Sequence, residues 1–373
     1  MNRIREGRAE ILAPAQSLTR KSEAFYNPAM EYQRDLTMSA LRVFQKMSGK
    51  RLAVCDPLAG TGIRSIRILK EVGNIERIVM NDRNPKAVEI MKKNVENNPG
   101  SGGAEIVISN KNANMLFLEN RSAFDYIDID PFGSPLRFIS DAGQALRPKS
   151  LLACTATDTG ALCGSFASTC LGRYGIKVCR TDFFKELGVR VLATSTMLEL
   201  SGQGMAFEPL YTHANHYFRV IGLAKRSRSA LTAQMKRIRF VAYCSHCLYR
   251  SSETAAECPV CGKKLEILGP LWTGKIRDAV FCRKMLEDLR SGGYRKTKEL
   301  EAALAEIDEP FYYDTPKLFR LLKRTPQKIG HIMDDLRKMG YDASRTHLCP
   351  TGIKTDAPHP EVLEMLGWSR IPG

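Results

Sequence analysis

The chain lacks the features that would place it in or across a membrane. Its opening residues, Met1-Asn2-Arg3-Ile4-Arg5-Glu6-Gly7, form no apolar signal region. The least charged stretch, Leu151 to Leu171, is too rich in Thr, Ser, Gly and Cys to span a bilayer. No G-K-[ST] occurs, which excludes a phosphate-cradling P-loop, and no internal repeat or low-complexity tract is present. A cytoplasmic protein with no membrane association is the expectation, and no obligate protein partner is evident. Acidic residues are missing altogether from Pro209 to Ser252, where Arg219, Lys225, Arg226, Arg228, Lys236, Arg237, Arg239 and Arg250 supply eight cations.

Such a run would repel itself without an anionic ligand. The whole chain has 56 Lys and Arg against 40 Asp and Glu, a formal net charge of +16, so a polyanionic partner, nucleic acid, is expected over a merely solvated face. At 373 residues and 43% hydrophobic content the chain is long enough for two or three domains with ordinary cores.

Apolar runs of strand length recur in the first part, and each is followed by an acidic or amide residue. Arg51 to Cys55 runs into Asp56-Pro57-Leu58-Ala59-Gly60-Thr61-Gly62, then a helical pattern with Ile63, Ile66 and Leu69. Glycines at a strand-to-helix turn allow close approach to a ligand, but the third glycine of the dinucleotide fingerprint is absent and Asp56 would repel a pyrophosphate. Arg77 to Asn81 ends at Asp82, where a ribose diol would be bound. Ala104 to Ile108 leads to Asn112-Ala113, the position for an adenine edge, and Phe124 to Ile129 leads to Asp130. A ribose, no phosphate and a positive sulfonium describe S-adenosylmethionine.

Asp130-Pro131-Phe132-Gly133 supplies the chemistry. An aromatic amine is a poor nucleophile because its lone pair is delocalised; a carboxylate accepting its N–H localises that pair and can take the proton. Pro131 stiffens the turn and Phe132 offers a stacking face for a base.

Among 11 cysteines, Cys244-x2-Cys247 and Cys258-x2-Cys261 have the spacing of a zinc ribbon, a closed four-thiolate structural site. His246 is a bystander, and Cys55, Cys154, Cys163, Cys170, Cys179, Cys282 and Cys349 read mostly as buried small residues. Later in the chain Glu299 to Ile307 reads as a helix. So does Gln327 to Met339, with Thr325 and Pro326 as start signals and Gly340 as stop. A preceding short helix and turn suit a winged-helix module, although ordinary packing would give the same stripe.

Together these place a Rossmann-like α/β methyltransferase domain over residues 1–224. A smaller C-terminal α+β domain over 225–373 would hold the ribbon at 244–261 and the winged-helix-like part.

Glu6-Gly7-Arg8-Ala9, Ala24 to Glu31, Arg34-Asp35-Leu36, Asp56 to Ser65, Asp128 to Pro135, both cysteine knuckles and Thr351 to Pro358 together resemble the tRNA guanine-26 N2-dimethyltransferase family, in its compact archaeal form. The resemblance implies transfer of two methyl groups from S-adenosylmethionine to N2 of a tRNA guanine. It implies that Arg34, Asp56, Arg64, Asp82, Asn112 and Ala113 hold the cofactor, that Asp130 accepts the amine proton, and that Phe25 and Phe132 flank the extruded base. Asn112 stands where an acidic residue is expected. Two alternatives are the same chemistry on another tRNA guanine or nucleic acid, and a zinc-dependent RNA-binding protein with an inert methyltransferase fold.

Overall fold

A computed structural model describes residues 1–15, 22–100, 102–294 and 296–368. A hairpin, β1 (Asn2–Glu6) and β2 (Ala9–Ala13), precedes the long helix α1 (Glu31–Ser48). Strands and helices then alternate: β3 (Leu52–Asp56), α2 (Ile63–Glu71), β4 (Ile75–Asn81), α3 (Pro85–Glu96), β5 (Glu105–Ser109), α4 (Ala113–Glu119), β6 (Phe124–Ile129), α5 (Leu136–Ala145) and β7 (Leu146–Ala156). Helices α6 (Thr159–Leu162), α7 (Ala167–Tyr174) and α8 (Phe184–Ser201) lead to a hairpin of β8 (Ala206–Ala214) and β9 (Phe218–Lys225).

Strands β3 to β9 form one seven-stranded sheet in the order β5-β4-β3-β6-β7-β9-β8, and among the described residues β1 and β2 pair only with each other. Strands β3 to β7 are mutually parallel and β9 runs against both its neighbours. β3 and β6 are buried along their whole length, as central strands covered on both faces must be. The chain winds from β3 outward to β5 and returns to place β6 beside β3. The crevice beyond the carboxyl ends of β3 and β6 is therefore the topological switch point, where such sheets bind ligands.

Beyond β9 come α9 (Arg228–Met235), β10 (Ile238–Tyr243), β11 (Arg250–Ser251), β12 (Glu266–Trp272), α10 (Ala279–Ser291) and α11 (Lys298–Ala305). β13 (Tyr313–Asp314), α12 (Thr315–Leu321), α13 (Ile329–Lys338), β14 (Ala343–Arg345), β15 (Gly352–Thr355) and α14 (His359–Met365) follow among the described residues. β15 lies between β13 and β14. One apolar core runs from Ile127 and Leu152 in the large sheet to Val241, Leu268, Leu318 and Ile332 in the C-terminal part. α10 packs along α1, fixed by the Arg42–Asp288 ion pair at 2.7 Å and by Ser39 Oγ donating to the Met285 carbonyl.

The helix expected from Gln327 starts two residues later, with Lys328 as its cap, so Thr325 and Pro326 do not serve as its start signals. Ile332 and Leu336 are its buried residues, whereas Met339 is exposed at the end. No helix among the described residues is long and apolar enough to cross a membrane.

Candidate active site

Gly60 and Gly62 shape the β3–α2 turn. Both have positive φ, at +56° and +81°, and a Cβ on Gly60 would lie 2.7 Å from the Phe25 carbonyl oxygen. The close approach that requires glycine here is thus to the protein's own Phe25 segment, which Thr61 N–H also contacts at 3.3 Å. Gly60 N–H donates to Asp82 Oδ2 at 3.0 Å and Asn84 N–H to Oδ1 at 2.9 Å, so Asp82 faces the turn at the end of β4. Burial holds its carboxyl above the usual range despite these donors. Asn81, which sequence reasoning passed over, ties the loops together: its amide donates to the carbonyls of Pro57 and Lys111, and its oxygen accepts from Lys111 N–H.

Asp82, Asp130, Phe25, Phe132 and Gly60 line one cavity of about 770 Å3 at the switch point. Asp130 follows β6. Its Oδ2 accepts from Arg64 Nη2 at 2.6 Å and from Gln33 Nε2 at 3.5 Å, and among the described residues its Oδ1 has no protein donor. Phe25 and Phe132 meet edge to face, with centroids 4.7 Å apart at 76°; to flank a base between them they must part.

Behind Asp130 lies a buried ionic network. Asp128, two residues earlier in β6 and fully buried, is gripped by the two terminal guanidinium nitrogens of Arg219, Nη1 and Nη2, at 2.9 and 2.6 Å. Arg64 Nη1 lies 3.0 Å from Asp128, and Tyr126 OH donates to the same carboxylate. Burial alone would raise the Asp128 carboxyl, but Arg219 and Arg64 outweigh it and hold it below the usual range. Gln33 joins the pieces, accepting from Arg64 at 3.1 Å and donating to Thr155 Oγ1 at 2.9 Å. Asp56, bonded to Ser65 Oγ at 2.9 Å, is pushed up to about 6 by burial, aided by the neighbouring Asp128 and Asp130 charges and opposed by Arg64.

The remaining expected residues lie off the cavity wall. Arg34 is buried in a two-pronged pair with Glu6, at 2.6 and 2.5 Å, so it is not a surface salt bridge. Asn112 is exposed, and its side chain caps α4 by accepting from Asn114 N–H at 2.9 Å; Ala113 is buried. Arg219, counted with the basic run, is buried, and Arg250 has only 6% of its side chain exposed and pairs with Asp182 at 2.8 Å. Arg226, Arg228, Lys236, Arg237 and Arg239 are the members of the run that face solvent. Two carboxylates inside the apolar strand β6 were the available signal for this network, because buried carboxylates need buried cations.

The four knuckle thiols lie within 4.8 Å of one another, and His246 is not in the cluster. Cys244 and Cys261 sulfurs are 3.5 Å apart and those of Cys247 and Cys258 3.4 Å. A tetrahedral zinc with bonds of about 2.3 Å sets its sulfurs about 3.8 Å apart, so a small outward shift admits the ion. His359 Nε2 lies 3.0 Å from the Cys247 carbonyl and its Nδ1 3.1 Å from Tyr313 OH, fastening the ribbon to β13 and α14.

Residues 6–367 match the family described as N2,N2-dimethylguanosine tRNA methyltransferase. A tRNA (guanine(26)-N(2))-dimethyltransferase of Methanosphaera stadtmanae is 35% identical over 97% of this chain and 96% of its own length. One of Methanothermobacter thermautotrophicus is 36% identical over 97% and 98%. The structure of Trm1 from Pyrococcus horikoshii in complex with S-adenosyl-L-methionine superposes with a TM-score of 0.88 at 30% identity, covering 98% of this chain and 99% of that one.

Proposed function

This chain belongs to the N2,N2-dimethylguanosine tRNA methyltransferase family, and from that premise we propose that it adds two methyl groups in turn to the exocyclic N2 of guanine 26 in tRNA. It is an S-adenosylmethionine-dependent methyltransferase. The observation that carries the reading is the placement of Asp130. Its carboxylate shares a cavity with Asp82, its Oδ2 is held by Arg64 and Gln33, and its Oδ1 remains to accept from a substrate amine.

S-adenosylmethionine supplies, when bound, a methyl carbon that carries a good leaving group. Asp82 suits a ribose diol at the end of β4. We assign Arg34, Asp56, Arg64, Asn112 and Ala113 to the same ligand: Asp56 and Arg64 shape the floor, Asn112 and Ala113 begin the helix beside the adenine edge, and Arg34 fixes the Phe25 segment through Asn27. The guanine leaves its stack and enters as Phe25 and Phe132 separate, since a base within RNA cannot otherwise reach the methyl group. Asp130 Oδ1 then accepts the amine N–H, orients the lone pair for in-line attack and takes the proton. After the first transfer Asp130 passes its proton to solvent and a fresh S-adenosylmethionine replaces the spent one; the remaining N–H then rotates toward Asp130, and Phe132, exposed at the cavity mouth, leaves room for the added methyl.

Residues 1–224 are the catalytic part in this reading and 225–373 the tRNA-binding part. The exposed cations from Arg226 to Arg239 and the α11-β13-α12-α13-β14-β15 unit, which we read as winged-helix-like, are offered to RNA backbone. Asp130→Ala tests the assignment. Product formation is expected to fall roughly 10²- to 10⁴-fold while the dissociation constant for S-adenosylmethionine is retained; an active variant refutes the role.

A further inference from the structure

The catalytic cavity has a second set of charges that the proposed chemistry leaves unused. Besides Asp82 and Asp130 it is lined by Arg137, in the first turn of α5, and Arg173, near the end of α7. Among the described residues the Arg137 guanidinium has neither a carboxylate nor a carbonyl partner; it lies 4.5 Å from the Phe138 ring centroid. Glu199 lines the same cavity, yet no ion pair joins it to either arginine.

Arg173 is held toward the cavity by a short chain of contacts that leads back to the catalytic turn. Its Nη1 pairs with Asp158 Oδ2 at 2.6 Å, and Tyr174 OH donates to Asp158 Oδ1 at 2.7 Å. Thr157, the neighbour of Asp158, exchanges two hydrogen bonds with Gly133. Gly133 N–H donates to Thr157 Oγ1 at 2.6 Å, and Thr157 N–H to the Gly133 carbonyl at 3.0 Å. These bonds link the Asp-Pro-Phe-Gly turn to the segment that carries Asp158. With Nη1 engaged, the Arg173 side chain is still 45% exposed and offers its other N–H donors to the cavity.

We propose that Arg137 and Arg173 hold the phosphates on either side of the target nucleotide, an inference that rests on the reading that the guanine is extruded into this cavity. An extruded nucleotide brings a phosphodiester on each side to the mouth of its pocket. An arginine fork is the group that fits a phosphate with two hydrogen bonds, and one already braced by a carboxylate loses little freedom in doing so. The two arginines thus set the depth to which the base enters, while Asp130 orients its amine.

The test is the salt dependence of binding to an unmodified tRNA transcript, measured by filter binding for the wild type, Arg137→Ala, Arg173→Ala and Arg173→Lys. Each alanine variant is expected to bind about tenfold more weakly and to lower the slope of log Kd against log salt by about 1. Arg173→Lys should keep the slope, because the charge remains. S-adenosylmethionine affinity, read in parallel, reports whether each variant is folded, and Arg137→Ala tests the idea without touching Asp158. A slope equal to wild type in an alanine variant overturns the assignment of that arginine. The wild type is assayed alongside for N2,N2-dimethylguanosine. Its absence would fault the extrusion reading, whereas its presence with unchanged slopes would fault this inference alone.

Discussion

Arg219→Met removes a buried charge while keeping most of the side-chain volume. Arg219 is 1% exposed and Asp128 0%, so the variant leaves Asp128 with Arg64 at 3.0 Å and the Tyr126 hydroxyl as partners. Breaking a buried pair on one side costs about 3–5 kcal/mol; because Arg64 remains, about 3–4 kcal/mol is expected. That is a large share of an ordinary stability of about 5–15 kcal/mol. In urea, with m of about 2–3 kcal/mol/M, the midpoint should fall by roughly 1–2 M.

Asp128 has a depressed folded value, so its contribution is present above the ordinary 3.8 and is lost as pH falls below it. The deficit of the variant should accordingly be full at neutral pH and narrow in acid. Adding Asp128→Leu should recover part of the loss, since an apolar pair can replace an ion pair at little net cost, but not all of it, because Arg64 Nη1 and the Tyr126 hydroxyl lose their acceptor. A single variant within about 1 kcal/mol of wild type, or a double variant no better than the single, would refute the reasoning.

Metal analysis should find one zinc per chain, lost on replacing Cys247 and Cys258 by Ser. Loosening the ribbon frees the His359 anchor on the Cys247 carbonyl, so tRNA affinity should drop while S-adenosylmethionine binding persists; unchanged tRNA binding would contradict this. In the C-terminal part His347 Nδ1 lies 2.6 Å from Glu306, whose other oxygen meets Lys354 at 2.6 Å. Burial raises the Glu306 carboxyl, but His347 and Lys354 outweigh it and hold it below its ordinary 4.5; burial lowers His347, but Glu306 outweighs it and holds the imidazole above 6.5. The Glu306 contribution is present above 4.5 and lost as pH falls through the depressed value, while that of His347 is full below 6.5 and lost as pH rises through the raised one. Urea midpoints should therefore decline above pH 6.5 in the wild type and much less in His347→Asn; parallel profiles would contradict the pairing.

Features set by local chemistry were readable from the chain. The strand Phe124–Ile129 has the bounds its apolar run indicates. The two knuckles bring their thiols together because Cys-x2-Cys spacing closes a tight turn on each side. The acidic series falls at consecutive carboxyl ends of β3, β4 and β6 because parallel winding puts those ends on one edge. Partners distant in sequence were not readable. Arg219 belongs to a run without acids, yet its counter-charge is Asp128, brought to it across β7 by the sheet order, with Thr155 of β7 bonded to both Arg219 and Gln33. Arg250 and Lys225 likewise find Asp182 and Glu208 outside the run. Local charge counting therefore overstated the surface cations and missed the network that seats Asp130. Arg34 is a similar case, since its partner Glu6 sits on a hairpin strand whose docking the sequence pattern does not specify.

The most direct test of the central claim is to incubate the purified protein with S-adenosylmethionine and an unmodified tRNA transcript, alongside a transcript with adenine at position 26, and to identify the methylated nucleosides by mass spectrometry. N2,N2-dimethylguanosine from the first transcript and none from the second is the predicted result. Methylation that persists on the adenine transcript, or falls on an atom other than guanine N2, would contradict the account.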